Sequence, residues 1–385
     1  MVRVASDFTW TGKAPDRCPG FDTDGTLRAL SAPDTSDCTR SQVLDYFDNG
    51  WTLTELLFSA LVHEGRDVDE AFRQTPAHGL RHPLVFYYGH PAVFYVNKLR
   101  VAGLISAGIE PEYERLFEVG VDEMRWDDMS RPAQHWPAVS ALRDYRAKVY
   151  ALVRGVLERH EGLAAGHAPI LRGHPLWALF MAFEHERIHL ETSSVLLREL
   201  PSRWVARPAA WVPPHPTARP LDAASEHGAA PQAGRDYPVN ELLAQAGGRV
   251  VVGKSADHPS YGWDNEYGRR VCEVRPFAVA RHLCSNGEFY EFVVAGGYTQ
   301  RRHWSDEGWR WRQHCNAMRP SFWVACGPEG LHRYALRTCF EHVEMPWSWP
   351  VIVNYHEAQA YCAFQSERQG GVALRVLTEA EHNYL

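Results

Sequence analysis

Two histidines separated by three residues mark the part of the chain best suited to chemistry. His185 and His189 lie in the segment 184–191, inside a long apolar run that ends at Pro201. Residues four apart share one face of a helix, so both imidazoles are expected to project from an apolar, buried stripe. Buried imidazoles need partners, and a metal ion is one such partner. The pattern therefore predicts a metal site.

A catalytic metal needs at least a third protein ligand and open positions for substrate. The best candidate is His90, because it lies at the start of another helical pattern beside aromatic residues. His82, His78 and His174 are weaker candidates. A short motif of this kind more often lies on a surface or in a hydrogen-bonded core than in a metal site. The carboxylate of Glu191, available to hold a histidine ring from behind, favours the metal interpretation.

Length and composition limit the classes of protein. A chain of 385 residues exceeds what one hydrophobic core usually serves, so two domains are predicted. The net charge of −7, without a basic block, argues against nucleic acid or an anionic membrane as partner. No apolar stretch reaches the about 18 residues of a membrane span. We therefore expect a cytoplasmic protein that acts on small molecules, with its scattered cysteines mostly reduced.

Apolar periodicity divides the first half of the chain. Residues 1–40 show no sustained period and are interpreted as an N-terminal extension. Helical patterns begin at Ser41, a plausible N-cap, and recur near 91–108, 137–160 and 175–200. Four such helices without strand-like alternation predict a helical bundle over 41–200. Pro91 disfavours helical geometry at His90, so we expect that helix to start or kink there.

The second half has a different texture. Residues 201–247 are rich in proline and alanine and are interpreted as a linker. From residue 248 onward, short runs are bounded by glycine, asparagine and aromatic clusters, and residues 249–253 are typical of a strand and turn. Helical patterns persist near 285–294 and 355–367. Residues 248–385 are therefore predicted to form an α+β domain.

Several motifs, in a fixed order, carry a resemblance to a known family. They are residues 86–90 (Phe-Tyr-Tyr-Gly-His), 97–99, 119–128, 185–191, 262–266, 285–289, 308–311, 345–347 and 377–381. In the first half they resemble ovothiol synthase, the 5-histidylcysteine sulfoxide synthase. In the second half they resemble its formylglycine-generating-enzyme-like domain, a variant of the C-type lectin fold. The resemblance covers about residues 41–385, and the ergothioneine-type sulfoxide synthases are related to the same family.

The resemblance implies a fold, a cofactor and a reaction. The fold would be a DinB-like four-helix bundle followed by the lectin-like domain, and Fe2+ would be held by His90, His185 and His189. In this family iron(II) and O2 couple the sulfur of cysteine to an imidazole carbon of histidine and oxidise that sulfur, which gives 5-histidylcysteine sulfoxide. Three neutral imidazoles would leave three positions on the iron for a thiolate, an imidazole and O2.

Amino-acid substrates carry carboxylates and ammonium groups, so the pocket needs charged partners and aromatic walls. The polar candidates are Asp264, Asn265, Arg310 and Arg312, and the aromatic candidates are Tyr87, Tyr88, Trp309 and Trp311. Each is at least as well explained as a core aromatic residue or a solvated charge. In particular, Trp309 and Trp311 alternate with arginines as in a half-buried strand.

The chain departs from the family in two ways. It stops within the lectin-like domain, before the stretch where the family places its catalytic tyrosine, and Tyr384 does not match that position. It also has no methyltransferase domain. We therefore expect a truncated product or a reduced homologue. Three alternatives stay open: an ergothioneine-type synthase acting on hercynine with cysteine or γ-glutamylcysteine, a thiol-dependent transferase using zinc or nickel, and an inactive binding module.

Overall fold

The computed structural model describes residues 8–61, 67–76, 81–118, 135–221, 230–328 and 330–385. The chain divides into two compact units, Met1–Pro213 with Lys254–Tyr267, and Pro214–Gly253 with Gly268–Leu385. All eight cysteines are free thiols, as predicted. Among the described helices, none combines the length and the apolar character needed to span a membrane.

The first unit is helical. Its helices are α1 (Arg40–Phe58), α2 (Val68–Phe72), α3 (Leu84–Val101), α4 (Pro111–Leu116), α5 (Val139–Arg159) and α6 (Trp177–Glu199). Each of the long helices α1 and α3 packs against both α5 and α6, so these four enclose a common core. The predicted helical character of this part of the chain is confirmed.

Apolar spacing explains why α5 takes this place in the core. Leu142, Val149, Val153 and Leu157 recur at intervals of seven, four and four residues and are completely buried. This spacing puts them on one face of the helix. Arg146 lies on the same face and is also completely buried, so a charged side chain occupies a core position.

Helix α1 begins two residues earlier than predicted. Thr39, and not Ser41, is the N-cap: its hydroxyl accepts a hydrogen bond from the backbone N–H of Gln42 (3.2 Å). The side chain of Gln42 accepts one in return from the backbone N–H of Thr39 (2.7 Å). This reciprocal pair satisfies donors that the first helical turn leaves open. The predicted cap at Ser41 is wrong because Ser41 lies inside that turn.

Of the two outcomes expected at Pro91, a helix start or a kink, the start is wrong: α3 begins at Leu84 and contains Pro91. Three side chains before the proline are almost completely buried: Leu84, Val85 and Tyr88. Their burial outweighs the single backbone hydrogen bond that proline cannot donate. The helix ends at Val101, earlier than the predicted residue 108, because Gly103 adopts a φ of +71° and Leu104 N–H donates back to the Leu99 carbonyl (2.9 Å).

The second unit is mixed α+β, as predicted. Its strands are β1 (Leu242–Gln245), β2 (Gly248–Val252), β3 (Arg270–Val274), β4 (Phe277–Ala280), β5 (Trp323–Ala325), β6 (Tyr334–Arg337) and β7 (His342–Glu344). Its helices are α7 (Asn286–Val294), α8 (Asp306–His314), α9 (Tyr355–Arg368) and α10 (Glu379–Tyr384). Antiparallel pairs join β1 to β4 and β2 to β3, and β5, β6 and β7 form one antiparallel sheet in that order.

The two tryptophans that alternate with arginines lie in a helix. Trp309 and Trp311 belong to α8, so the strand interpretation of this segment is wrong. Ser305 caps the helix by accepting a hydrogen bond from the backbone N–H of Gly308 (3.0 Å). Trp311 stacks on the buried Trp304, with 6.2 Å between the ring centroids. Capping and this contact, rather than alternation, decide the local structure.

Candidate metal centre

Three histidines from two helices meet inside the first unit. His90 is on α3, and His185 and His189 are one turn apart on α6. The Nε2 atom of His185 lies 3.2 Å from that of His90 and 3.1 Å from that of His189. Within the described parts of the chain, these residues form a cluster whose ligand atoms all lie within 4.8 Å of one another.

The geometry of the cluster fits a metal ion. The Nδ1 atom of His90 lies 2.6 Å from the carbonyl oxygen of Phe117. Because a carbonyl only accepts, Nδ1 must carry the proton and Nε2 must offer a lone pair to the cluster. Three nitrogens about 2.1 Å from one metal, at right angles, lie about 3 Å apart. The two Nε2 separations measured from His185 are close to that value.

Burial keeps the three rings neutral. His90 and His185 are 2% and 8% exposed, and His189 is half-buried. Burial lowers the pKa of His90 to about 4 and that of His189 to about 3. The pKa of His185 lies well below its usual range, mainly because the ring is buried and secondarily because the rings of His189 and His90 are close to it. Neutral imidazoles are the form that binds metal ions.

Aromatic rings hold the histidines in place. Phe94 stacks on His185, with 3.6 Å between centroids and 8° between planes, and Phe86 stacks on His90 at 5.0 Å. The ring of Tyr87, one of the predicted walls, lies 6.3 Å from that of His189 and is buried. Tyr87 is therefore brought to the cluster.

The predicted role of Glu191 is not what the structure shows. Glu191 is exposed, and the buried Nδ1 atoms of His185 and His189 have no hydrogen-bond partner in the described chain. Residues two apart on a helix do not face each other, so Glu191 points away from the ring of His189. The sequence interpretation matched the spacing of the motif and missed the phase of the helix.

Tyr88 lies in a different environment from Tyr87. Its side chain is completely buried, and its hydroxyl donates to Glu55 (3.0 Å). It therefore contributes to a buried ionic contact rather than to a wall of the histidine cluster.

The weaker histidine candidates that the structure describes are not members of the cluster. The ring centroid of His82 lies 4.5 Å from that of Phe86, with 41° between the planes. The Nδ1 of His174 accepts a hydrogen bond from the backbone N–H of Leu176 (3.1 Å). His78 and the motif at 119–128 lie outside the described residues.

The remaining substrate-binding candidates are exposed or partly exposed. Asp264 and Asn265 are exposed residues of the segment Lys254–Tyr267, which belongs to the first unit. The other three candidates lie on α8 in the second unit: Trp309, Arg310 and Arg312. Arg312 packs over the ring of Trp309, with 5.5 Å from its Cζ to the ring centroid. Their part in substrate binding stays a prediction.

Sequence reasoning missed four groups near the histidines. Glu55, Arg146 and Glu186 are charged residues with at most 1% exposure. Their signal was present in the sequence, because each is a charged residue at a position where the helical period requires an apolar one. The fourth group is the carbonyl of Phe117, and a backbone atom leaves no signal in a sequence.

A protein-family model matches the second half of the chain. Residues 227–384 match the Sulfatase-modifying factor enzyme 1-like domain. This agrees with the predicted formylglycine-generating-enzyme-like character of that half.

Curated relatives match parts of the chain. It is 39% identical over 120 residues to the hercynine oxygenase of Mycobacterium tuberculosis, which covers 31% of this chain and 27% of that protein. It is 42% identical over 115 residues to the hercynine oxygenase of Mycolicibacterium thermoresistibile, which covers 29% of this chain and 24% of that protein. It is 23% identical over 321 residues to ergothioneine biosynthesis protein 1 of Neurospora crassa, which covers 75% of this chain and 33% of that protein.

The chain thus matches about a quarter to a third of the length of these relatives. It is similar to proteins named for hercynine oxygenation and ergothioneine biosynthesis.

Proposed function

We propose that this chain is the iron-binding part of an O2-dependent sulfoxide synthase that joins a thiol sulfur to an imidazole carbon. The observation that carries the proposal is the meeting of three neutral imidazoles, in which the Nε2 of His185 lies 3.2 Å from that of His90 and 3.1 Å from that of His189. The similarity to hercynine oxygenases supports it. The proposed ligands are His90, His185 and His189.

The proposal includes a fold assignment. Residues 41–200 are proposed to form a DinB-like bundle, and residues 248–385 a lectin-like domain of the formylglycine-generating-enzyme type. The four packed helices and the domain match at 227–384 support this division. The extension at 1–40, a linker within 201–247 and a cytoplasmic location complete the proposal. Strand β1 (Leu242–Gln245) lies inside the predicted linker range and pairs with β4, so the linker ends before residue 242.

The reaction balances with O2 as the sole oxidant. A carbon–sulfur bond forms as the thiol S–H and one imidazole C–H bond break. One oxygen atom ends in the sulfoxide and the other in water, which also takes up the two hydrogens. Iron(II), when bound, would supply the O2 chemistry and bring the two substrates together.

The residues of the chain have simpler tasks. The three imidazoles hold the metal, and the Phe117 carbonyl fixes the proton of His90 on Nδ1 so that Nε2 stays free. The stacked ring of Phe94 fixes the plane of His185. Together these contacts pre-organise the ligands before metal or substrate arrives.

The relatives support hercynine as the imidazole substrate more strongly than histidine. Their names refer to hercynine and ergothioneine, whereas the motifs at 86–90 and 185–189 favour histidine and cysteine, the ovothiol pair. Hercynine carries a trimethylammonium group that cannot donate hydrogen bonds and prefers aromatic faces. Offering hercynine, histidine, cysteine and γ-glutamylcysteine together, with detection by mass spectrometry, separates the two. If every sulfoxide product contained histidine and none contained hercynine, the hercynine assignment would be overturned.

The central test is an anaerobic iron(II) titration of this chain. We expect tight, roughly equimolar binding that is lost in the double variant His185→Ala, His189→Ala. His174→Ala is the matched control, because it removes a histidine that lies three residues before α6 and outside the cluster, and it should bind iron as the parent does. Absence of binding in the parent would favour the binding module. Preference for zinc or nickel with no sulfoxide product would favour the transferase.

A further inference from the structure

Five buried side chains form a polar cluster in the core of the first unit. They come from α1, α3, α5 and α6, and none is more than 1% exposed. We name them the Arg146 cluster, which consists of Glu55, Tyr88, Tyr95, Arg146 and Glu186. The Nε of Arg146 donates to Glu55 (2.7 Å). Its guanidinium carbon lies 4.2 Å from the ring centroid of Trp51 and 4.4 Å from that of Tyr88.

The Arg146 cluster contacts both ligand-carrying helices beside their ligands. Glu186 directly follows His185 on α6, and it accepts a hydrogen bond from the hydroxyl of Tyr95 on α3 (2.8 Å). Arg146 donates to the main-chain carbonyl of Tyr88 (2.7 Å) and lies 3.8 Å from Glu186. These contacts hold α3 two residues before His90 and five residues after it.

Stability alone does not account for such a cluster. Buried ion pairs can often be replaced by apolar side chains of similar volume without loss of stability. Hydrogen bonds weaken steeply when distance or angle changes, whereas apolar contacts are non-directional and permit sliding. Polar contacts therefore fix the register of two helices more tightly than apolar packing does.

Register matters at a metal site. Ligand distances must fall within about 0.2 Å of their ideal values. His90 approaches the other two ligands from a different helix, so a slide of α3 along α6 would separate its Nε2 from that of His185.

We propose that the Arg146 cluster positions α3 against α6 and thereby sets the metal affinity and ligand geometry of the three-histidine site. The inference deepens the proposed function and rests on it for the metal. Tyr95, Arg146 and Glu186 are positioning residues, since they act on the ligands through the helix backbones and do not contact the metal position themselves.

The test compares two single-atom deletions in the full chain. Tyr95→Phe removes the hydroxyl that bonds to Glu186. Tyr145→Phe is the control, because Tyr145 is 3% exposed and its hydroxyl has no hydrogen-bond partner in the described chain. In cobalt(II) titrations we expect Tyr95→Phe to bind about tenfold more weakly and to shift the visible absorption of the bound cobalt. Tyr145→Phe should match the parent in both.

A second measurement tests the environment of the histidine rings in the absence of metal. Imidazole nitrogen signals of the metal-free protein, recorded by NMR, should move for His90 and His185 in Tyr95→Phe and stay in place in Tyr145→Phe. Arg146→Lys, which keeps the charge, should retain more cobalt affinity than Arg146→Met.

The two proposals fail differently. If the parent binds neither cobalt nor iron, the proposed function fails, and the NMR comparison still decides the positioning role. If the parent binds metal and Tyr95→Phe shows the parent's affinity, absorption and imidazole signals, the positioning role is overturned even if the variant unfolds at a lower temperature.

Discussion

Gly89 leaves the space that the ring of Phe117 occupies: a Cβ atom at position 89 would come within 2.6 Å of the Cε1 atom of that ring. The carbonyl of the same phenylalanine holds the Nδ1 of His90 at 2.6 Å. A glycine in α3 therefore allows the chain that follows α4 to come close enough to orient a metal-ligand candidate.

Replacing Gly89 with alanine should weaken both the fold and metal binding. The methyl group would displace Phe117, and overpacking of this kind costs about 1–3 kcal/mol. Alanine gains only about 1 kcal/mol over glycine inside a helix, so the steric cost outweighs the gain. Chemical denaturation and an iron(II) titration of Gly89→Ala measure the two effects.

Gly155→Ala is the matched control, because Gly155 is also a buried glycine inside a long helix. A Cβ there would meet the end of the Arg159 side chain (2.7 Å), which is flexible and can move away. This variant should be unchanged or up to about 1 kcal/mol more stable, with the parent's metal affinity. If Gly89→Ala behaved like Gly155→Ala, the packing explanation would be wrong.

Phe94→Leu should loosen the ring of His185. Leucine keeps most of the apolar volume, so the stability change should stay below about 1.5 kcal/mol, but it lacks the flat face on which His185 stacks at 3.6 Å. Metal affinity should therefore fall more than stability does. Phe180→Leu is the control, since Phe180 is also buried, lies on α6 and packs against Phe183 instead. Equal metal affinities in the two variants would contradict this account.

The N-cap of α1 can be tested directly. Thr39→Ala removes the hydroxyl that accepts from Gln42 and should cost about 1 kcal/mol of unfolding free energy. Ser41→Ala, at the cap predicted from the sequence, alters an exposed residue and should stay within about 0.5 kcal/mol of the parent. Urea denaturation of the three proteins distinguishes the two positions, and the reverse order would restore the sequence-based cap.

Periodicity in the sequence was enough to predict the helical unit, because the spacing of residues such as Leu142 and Val149 reports directly which helix face is buried. Helix ends were harder to predict. At Thr39 a side-chain hydrogen bond decides the end, and at Pro91 the burial of preceding residues overrides a local preference. Neither effect can be read from apolar spacing.

The candidate site was predictable in part for the same reason. The spacing of His185 and His189 places both on one helix face. Only the packing of α3 against α6 brings the Nε2 of His90 to within 3.2 Å of the Nε2 of His185. The role predicted for Glu191 is not what the structure shows, because residues two apart on a helix, such as His189 and Glu191, do not face each other. Arg146 was overlooked because a buried charge is understandable only when its partners on other helices are known.

Glu357 should make the stability of the second unit depend on pH. It is 3% exposed, and it accepts hydrogen bonds from the hydroxyl of Tyr298 and from the backbone N–H of Asn354. Burial raises the pKa of Glu357 above its ordinary value, although both hydrogen bonds oppose the shift. The folded chain therefore keeps this proton at pH values where the unfolded chain has lost it. The stability contributed by the group is lost as pH rises from the unfolded to the folded pKa.

Glu357→Gln cannot titrate, which isolates this effect. The unfolding free energy of the parent minus that of the variant should fall as pH rises from about 4 to the raised pKa, and should be constant above it. Urea denaturation of both proteins across this range measures the difference. A difference that grew with pH would mean that the hydrogen bonds from Tyr298 and Asn354 outweigh burial, because a carboxylate that they stabilised would have a lowered pKa and would strengthen the fold on ionising.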